Sequence, residues 1–115
     1  MNHVFTAKVR GDGDLAIIDL SGEINAFASQ ELDAAYSEAE VLSENTVVLN
    51  FKDVTYINST GIALIVGLLA QARKKHRRLA VIGLSDHYVE IFQITRLVDF
   101  MTIYPDEASV HAGVA

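Results

Sequence analysis

Apolar residues recur along this 115-residue chain with two different periods, and the changes of period mark its elements. Val4 to Arg10 predicts a first strand, Gly11-Asp12-Gly13-Asp14 a turn, and Leu15 to Leu20, carrying Ile17 and Ile18, a second strand, so the chain opens as a hairpin. From about Phe27 to Leu42 the residues Ala28, Leu32, Ala35 and Ala39 recur at helical spacing with acids between them, and Asn25 is placed to cap that helix. Thr46 to Phe51 sets Val47, Val48 and Leu49 in sequence, which fits a strand buried on both faces. A helix then runs from Ser59 to about His76, and Leu79 to Gly83 is another short apolar strand. Ser85 or Asp86 caps a helix through about Ile94, and Met101 to Tyr104 reads as a last strand. Pro105 is placed for the first turn of a closing helix, where Asp106 and Glu107 suit the positive end of the helix dipole.

Strands alternating with helices after residue 45 imply right-handed crossovers and parallel pairing. With the antiparallel hairpin in front, the expected fold class is α/β, a mixed sheet covered largely on one face by about four helices. The length suits a single domain over residues 1–115, and there is no internal repeat, low-complexity tract or linker.

Half of the residues are hydrophobic and 21% are charged, a globular balance. The net charge of −6 argues against general nucleic-acid binding. Against that trend stand Lys74, Lys75, Arg77 and Arg78 around His76, which fall where cations complement a helix C-terminus. A partner contact or a nucleic-acid or lipid patch are the alternatives for this cluster. The apolar run Ile62 to Ala70 is too short to cross a bilayer, and MNHVFTAKVR carries no export pattern, so a cytoplasmic location is expected. With no cysteine, disulfides, thiolate zinc sites and cysteine nucleophiles are excluded. His3, His76, His87 and His111 stand at no metal-ligand spacing, and Asp12 with Asp14 lacks the rest of a calcium loop. Gly11 and Gly13 precede a strand rather than joining strand to helix, and Ser21-Gly22-Glu23 has no nucleophile-elbow frame. No acid–base pair or oriented nucleophile emerges, so no catalytic residue, metal or cofactor is expected.

The strongest chemical candidate is the hydroxyl pair Ser59 and Thr60 at the strand-to-helix junction. A helix start leaves backbone N–H groups unpaired and carries partial positive charge, which suits a phosphate. The pair reads either as a plain cap contributing about 1 kcal/mol or as a modifiable site. For the latter, Gly61 would permit close backbone approach, and a loop from Lys52 to Asn58 would bring Asp53 and Asn58 near the hydroxyl. On a helical wheel Ile62, Ile65, Val66 and Leu69 share one face, while Leu64 and Leu68 fall toward Gln71 and Lys75. Those two leucines either pack under a neighbouring element or form an exposed apolar contact for a partner.

Gly22-Glu23-Ile24-Asn25 after a hairpin, then Asp53-Val54-Thr55-Tyr56-Ile57-Asn58-Ser59-Thr60-Gly61-Ile62 at strand-to-helix, resembles the STAS domain of bacterial anti-sigma-factor antagonists. Val89 to Phe100, followed by Ile103-Tyr104 and Asp106-Glu107-Ala108, is similar to the C-terminal third of that family. The resemblance implies a non-enzymatic switch that binds an anti-sigma factor with serine-kinase activity while unphosphorylated. The kinase then phosphorylates a hydroxyl in the family's Asp-Ser-Ser/Thr-Gly motif, and a phosphatase restores the protein. By position the phosphoacceptor is Ser59, with Thr60 second, and the docking surface is Glu23, Asn25, Phe27, Asp53, Thr55, Asn58, Ser59, Thr60, Gly61 and Leu64. This chain has Asn58 and Asn25 where the family often has Asp. A STAS subunit supporting a membrane transporter or lipid-trafficking complex, never phosphorylated, is the alternative.

Overall fold

In a computed structural model, which describes residues 5–114, five strands form one sheet in the order β1-β2-β3-β4-β5. The strand β1 (Thr6–Asp12) pairs antiparallel with β2 (Leu15–Ile24), and β3 (Thr46–Ile57), β4 (Arg78–Ile82) and β5 (Thr102–Ile103) follow in parallel. The helices are α1 (Ser29–Leu42), α2 (Ser59–Lys74), α3 (Asp86–Ile94) and α4 (Glu107–Val114). Short 3-10 turns occupy Ala26–Ala28 and Leu97–Asp99. Val4 and His3, named above, lie outside the described residues.

The α/β class and the mixed sheet are as expected, and the hairpin turn is tighter than the sequence suggests. Gly11 and Asp12 stay in β1, pairing with Ala16 and Leu15, so only Gly13 and Asp14 turn. Gly13 supplies the positive φ of +61° that a two-residue hairpin turn demands.

Strand alternation splits the apolar residues between two faces. Ala16, Ile18, Leu20, Val47, Leu49, Leu79 and Val81 join Leu32 and Tyr36 of α1, Ile65 and Leu68 of α2 and Phe92 of α3 in the main core. On the reverse face Leu15, Ile17, Val48, Ala80 and Ile82 meet Val110 of α4. Three helices therefore cover one face and a single helix the other.

β2 and β3 run further than the apolar runs that announced them. The stretch expected as a loop, Lys52 to Asn58, is strand through Ile57. Register shifts between Asp19 and Ser21 and between Gly22 and Glu23 place extra residues in β3, so Phe51, Val54 and Ile57 reach the core at intervals of three. That spacing hides the strand from a reading that looks for alternation. The positive φ of Gly22, +96°, accommodates the irregularity.

The wheel drawn for α2 is also rotated. The buried seam is Gly61, Ile65, Leu68, Leu69 and Ala72, which puts Leu68 in the core and leaves Val66 exposed. Two small residues, Gly61 and Ala72, face the sheet and carry no hydrophobic weight in a pattern built on large side chains. Pro105 stands ahead of α4 rather than in its first turn, and the Asp106 carboxylate accepts from the Ser109 amide and hydroxyl at 2.9 and 2.8 Å.

Candidate functional site

β2 and β3 end side by side, and the chain leaving each builds one half of a surface beyond their carboxyl ends, the usual place for binding sites on parallel sheets. From β3 the chain enters α2 through Asn58, whose backbone is extended and whose Oδ1 accepts the Gly61 N–H at 2.8 Å. Asn58 is thus the helix cap, and Ser59 and Thr60 are the first two helical residues. This corrects the assignment of the hydroxyl pair as caps. Both side chains are exposed, and neither hydroxyl has a hydrogen-bond partner among the described residues. The Ser59 and Thr60 N–H groups lack intrahelical acceptors by position, so an anion on either hydroxyl would meet the positive end of a four-turn helix.

From β2 the chain leaves through Asn25, whose Oδ1 accepts the Phe27 N–H at 2.9 Å and starts the 3-10 turn. The Asn25 amide donates to Glu23 at 3.5 Å. Phe27 is 93% exposed, an extreme value for a phenylalanine beside a core alanine at 28. The two halves are locked together through the backbone. The Asn58 N–H donates to the Ile24 carbonyl at 3.2 Å, and a Cβ at Gly61 would lie 2.1 Å from that same oxygen. Only glycine lets the first turn of α2 sit against the end of β2.

A third element braces the junction. β4 stops pairing with β3 at Asn50, and beyond it the Tyr88 hydroxyl from α3 accepts the Ile57 N–H at 2.8 Å. Tyr88 is a positioning residue that the sequence did not single out, since nothing local to α3 reveals a bond to a strand 31 residues away.

Among the residues named from sequence, Glu23, Asn25, Phe27, Asn58, Ser59, Thr60 and Gly61 converge on this surface. Thr55 is exposed on β3 close to the junction, beside Tyr56, which is 53% exposed. Asp53 is separated from the site. It pairs with Ser21 four strand residues before Ile57, roughly 13 Å away at strand rise. Leu64 is half-buried against the main core, so it supports the helix rather than standing out as a free contact.

One cluster of potential metal ligands arises from distant segments. Asp12, Glu107 and His111 offer ligand atoms within 4.8 Å of one another. Their existing partners account for the arrangement. Glu107 takes a two-pronged bond from Arg10 at 2.7 and 3.1 Å, and His111 meets Asp12 at 2.9 Å. Asp12 is held below the ordinary carboxylate range by its hydrogen-bonding contacts with Glu107 and His111. These groups fasten α4 to the hairpin, and Arg10 is itself held by Asp19 across the hairpin at 2.7 Å. Among the described residues no helix is long and apolar enough to cross a membrane.

The family model of the STAS domain matches residues 6–110. The chain belongs to the STAS domain family. This STAS domain is 30% identical over 115 residues, the full length of both chains, to the anti-sigma-B factor antagonist of Listeria monocytogenes. Its fold is similar to that of an anti-sigma factor antagonist from Mycobacterium paratuberculosis, with a TM-score of 0.81 at 18% identity over 96% of this chain and 94% of that one. It is likewise similar to the Bacillus cell fate determinant SpoIIAA in its phosphorylated form, with a TM-score of 0.69 at 21% identity over 95% and 98%. These relatives are regulatory binding proteins rather than enzymes.

Proposed function

We propose that this STAS domain is a cytoplasmic anti-sigma-factor antagonist whose docking surface is the paired strand ends of β2 and β3, switched by phosphorylation of Ser59. The reading rests most heavily on one observation, an exposed Ser59 hydroxyl without a partner at the first position of α2, on a backbone junction that a partner can grip as a rigid body. The name of the Listeria relative, matched along its whole length, supports the antagonist role, and a solved phosphorylated form of a protein sharing this fold supports the switch.

In the unmodified state Phe27 supplies a large apolar anchor, and Tyr56, Thr55 and Glu23 provide its polar rim. The partner is an anti-sigma factor with serine-kinase activity, which uses ATP to transfer a phosphoryl group to Ser59. The phosphate adds about −1.5 to −2 charges. The α2 N-terminus tolerates that charge, so the fold persists while the surface facing the partner changes sign and hydration. A phosphatase reverses the step. Asn58 and Asn25, replacing carboxylates common in the family, retain the capping bonds to Gly61 and Phe27 without placing negative charge beside the acceptor.

Incubation with candidate cognate serine kinases and ATP, followed by intact-mass and site-mapping spectrometry, tests this reading. One added phosphate on Ser59, absent in Ser59→Ala, is the expected result, with Ser59→Asp folding normally but binding the kinase more weakly. Phosphate on Thr60 instead would move the site by one residue. If Ser59→Asp binds as tightly as the unmodified protein, the switch is refuted. Neither phosphate nor binding to any candidate would favour the transporter-associated or lipid-trafficking role.

A further inference from the structure

A second surface lies along the C-terminal half of α2, on the side turned away from α1. Val66, Leu69, Ala70 and Arg73 of α2 face Leu97 and Phe100 across an apolar groove of about 380 Å³, with Thr95 and Arg96 at its rim. Phe100 is half-exposed, and the Arg73 guanidinium lies over its ring, 5.1 Å from the centroid. Counted along α2, the groove runs from Val66, seven residues and about 10 Å from Ser59 at helical rise, to Arg73, fourteen residues and about 21 Å away, and neither Ser59 nor any other residue of the docking surface lines it.

Its electrostatics run against those of the whole chain. The protein carries 15 acids against 9 Lys and Arg, yet six of those nine cations are Arg73, Lys74, Lys75, Arg77, Arg78 and Arg96, at this end of the molecule. Internal duties account for some of them. Lys75 and Arg77 reach Glu40, Arg77 also bonds the carbonyls of Ser43 and Glu40, and Arg96 meets Asp99 at 2.8 Å. Arg73 is different, because it is exposed at the groove and has no carboxylate partner among the described residues. An apolar furrow beside uncompensated positive charge, on a protein otherwise acidic, is complementary to an apolar stripe flanked by carboxylates.

The shape narrows the partner further. The groove is bordered by α2 and by the segment running through the 3-10 turn Leu97–Asp99, with no strand edge along it. An occupant therefore gains side-chain burial rather than ladder hydrogen bonds, which is the mode of an amphipathic helix laid in a groove. A concave furrow also suits an inserted helix better than a flat lipid surface.

We propose that this groove docks an acidic amphipathic helix of a second protein partner, with the exposed Phe100 and Val66 taking its apolar face and Arg73 its carboxylates. The groove-lining residues do not include Ser59, so this contact is distinct from the phosphorylation site.

The probe is a synthetic helical peptide with leucines at i, i+3, i+4 and i+7 and glutamates elsewhere, titrated into the full chain by calorimetry and amide-detected NMR. A control peptide carries lysine at every glutamate position. Expected results are saturable binding, shifts centred on Val66, Ala70, Leu97 and Phe100, and at least tenfold weaker binding of the lysine peptide. Arg73→Glu and Phe100→Ala, each checked by circular dichroism and thermal melting, should also weaken the acidic peptide at least tenfold. Equal affinity for both peptides, or shifts mapping away from these residues, would overturn the proposal. So would sedimentation showing self-association that Phe100→Ala abolishes, which would make a second copy the occupant. Co-sedimentation with phosphatidylglycerol vesicles lost in Phe100→Ala, without peptide binding, would replace the protein partner by a membrane.

Discussion

Two glycines on α2 predict opposite outcomes for the same substitution. At Gly61 an added Cβ would meet the Ile24 carbonyl oxygen at 2.1 Å, the carbonyl carbon at 2.8 Å and the Ile57 Cγ2 at 2.9 Å. The first two belong to the main chain of a paired strand, so they cannot rotate away as a side-chain tip would. Relief requires α2 or the end of β2 to shift, which costs about 1–3 kcal/mol for forced overpacking, and it strains the Asn58 to Ile24 hydrogen bond, worth about 1 kcal/mol. Alanine returns at most about 1 kcal/mol of helix propensity. Gly61→Ala should therefore destabilise the protein by about 2 kcal/mol. At Gly67 nothing lies within 4 Å of the added carbon, and the position is exposed, so Gly67→Ala should stabilise by up to about 1 kcal/mol. The chain has no tryptophan, so urea unfolding is best followed by far-UV circular dichroism. Melting midpoints should move in opposite directions, down by about 8 °C or more and up by about 4 °C. A Gly61→Ala variant as stable as the parent, with an unchanged denaturant slope, would refute the claim that backbone contact fixes the α2 start against β2.

Three further outcomes are expected. His76 holds a φ of +58° after α2, where Arg77 and His76 N–H groups bond the carbonyls of Ala72 and Arg73, so His76→Gly should remove left-handed strain and raise stability by about 1 kcal/mol in thermal melts. The Asp19 carboxyl is held below its ordinary value first by Arg10 and also by Asn50. Its stabilising effect is therefore complete above the unfolded value and is lost as pH falls through the lower folded one. Asp19→Asn should cost up to about 1 kcal/mol at neutral pH, and urea midpoints of the two proteins should converge below about pH 4. A gap that widens in acid would reverse that assignment. Phe27→Ala should leave stability within about 0.5 kcal/mol while weakening binding of the cognate anti-sigma factor by about tenfold or more in calorimetry.

Element order and type were legible because parallel strands buried on both faces write continuous apolar runs, as in Val47-Val48-Leu49, and because α1 keeps a plain helical period. What stayed hidden had local causes. The irregular register of β3 replaced alternation by a spacing of three, so half of that strand passed for a loop and Asp53 was drawn toward a hydroxyl it does not approach. Small residues on the buried side of α2 tilted its wheel toward Val66. The helix start at Ser59 was readable from Asn-Ser-Thr-Gly, and only the capping residue was displaced by one. Tyr88 and the Phe100 groove were unreadable in principle, since each joins segments whose contact exists only after the chain has folded.

The lone helix on the reverse of the sheet sets a limit on how this chain can be cut. Leu15, Ile17, Val48, Ala80 and Ile82 form an apolar row across three adjacent strands, and Val110 with Tyr104 is what shields it. An ion pair from Arg10 to Glu107 and a polar contact between Asp12 and His111 hold that shield at its edge. A ribosome that has released the chain only as far as β5 has every strand of the sheet but an uncovered hydrophobic face. Such a face is a template for sticking to other nascent chains until Val110 of α4 is in place to cover it.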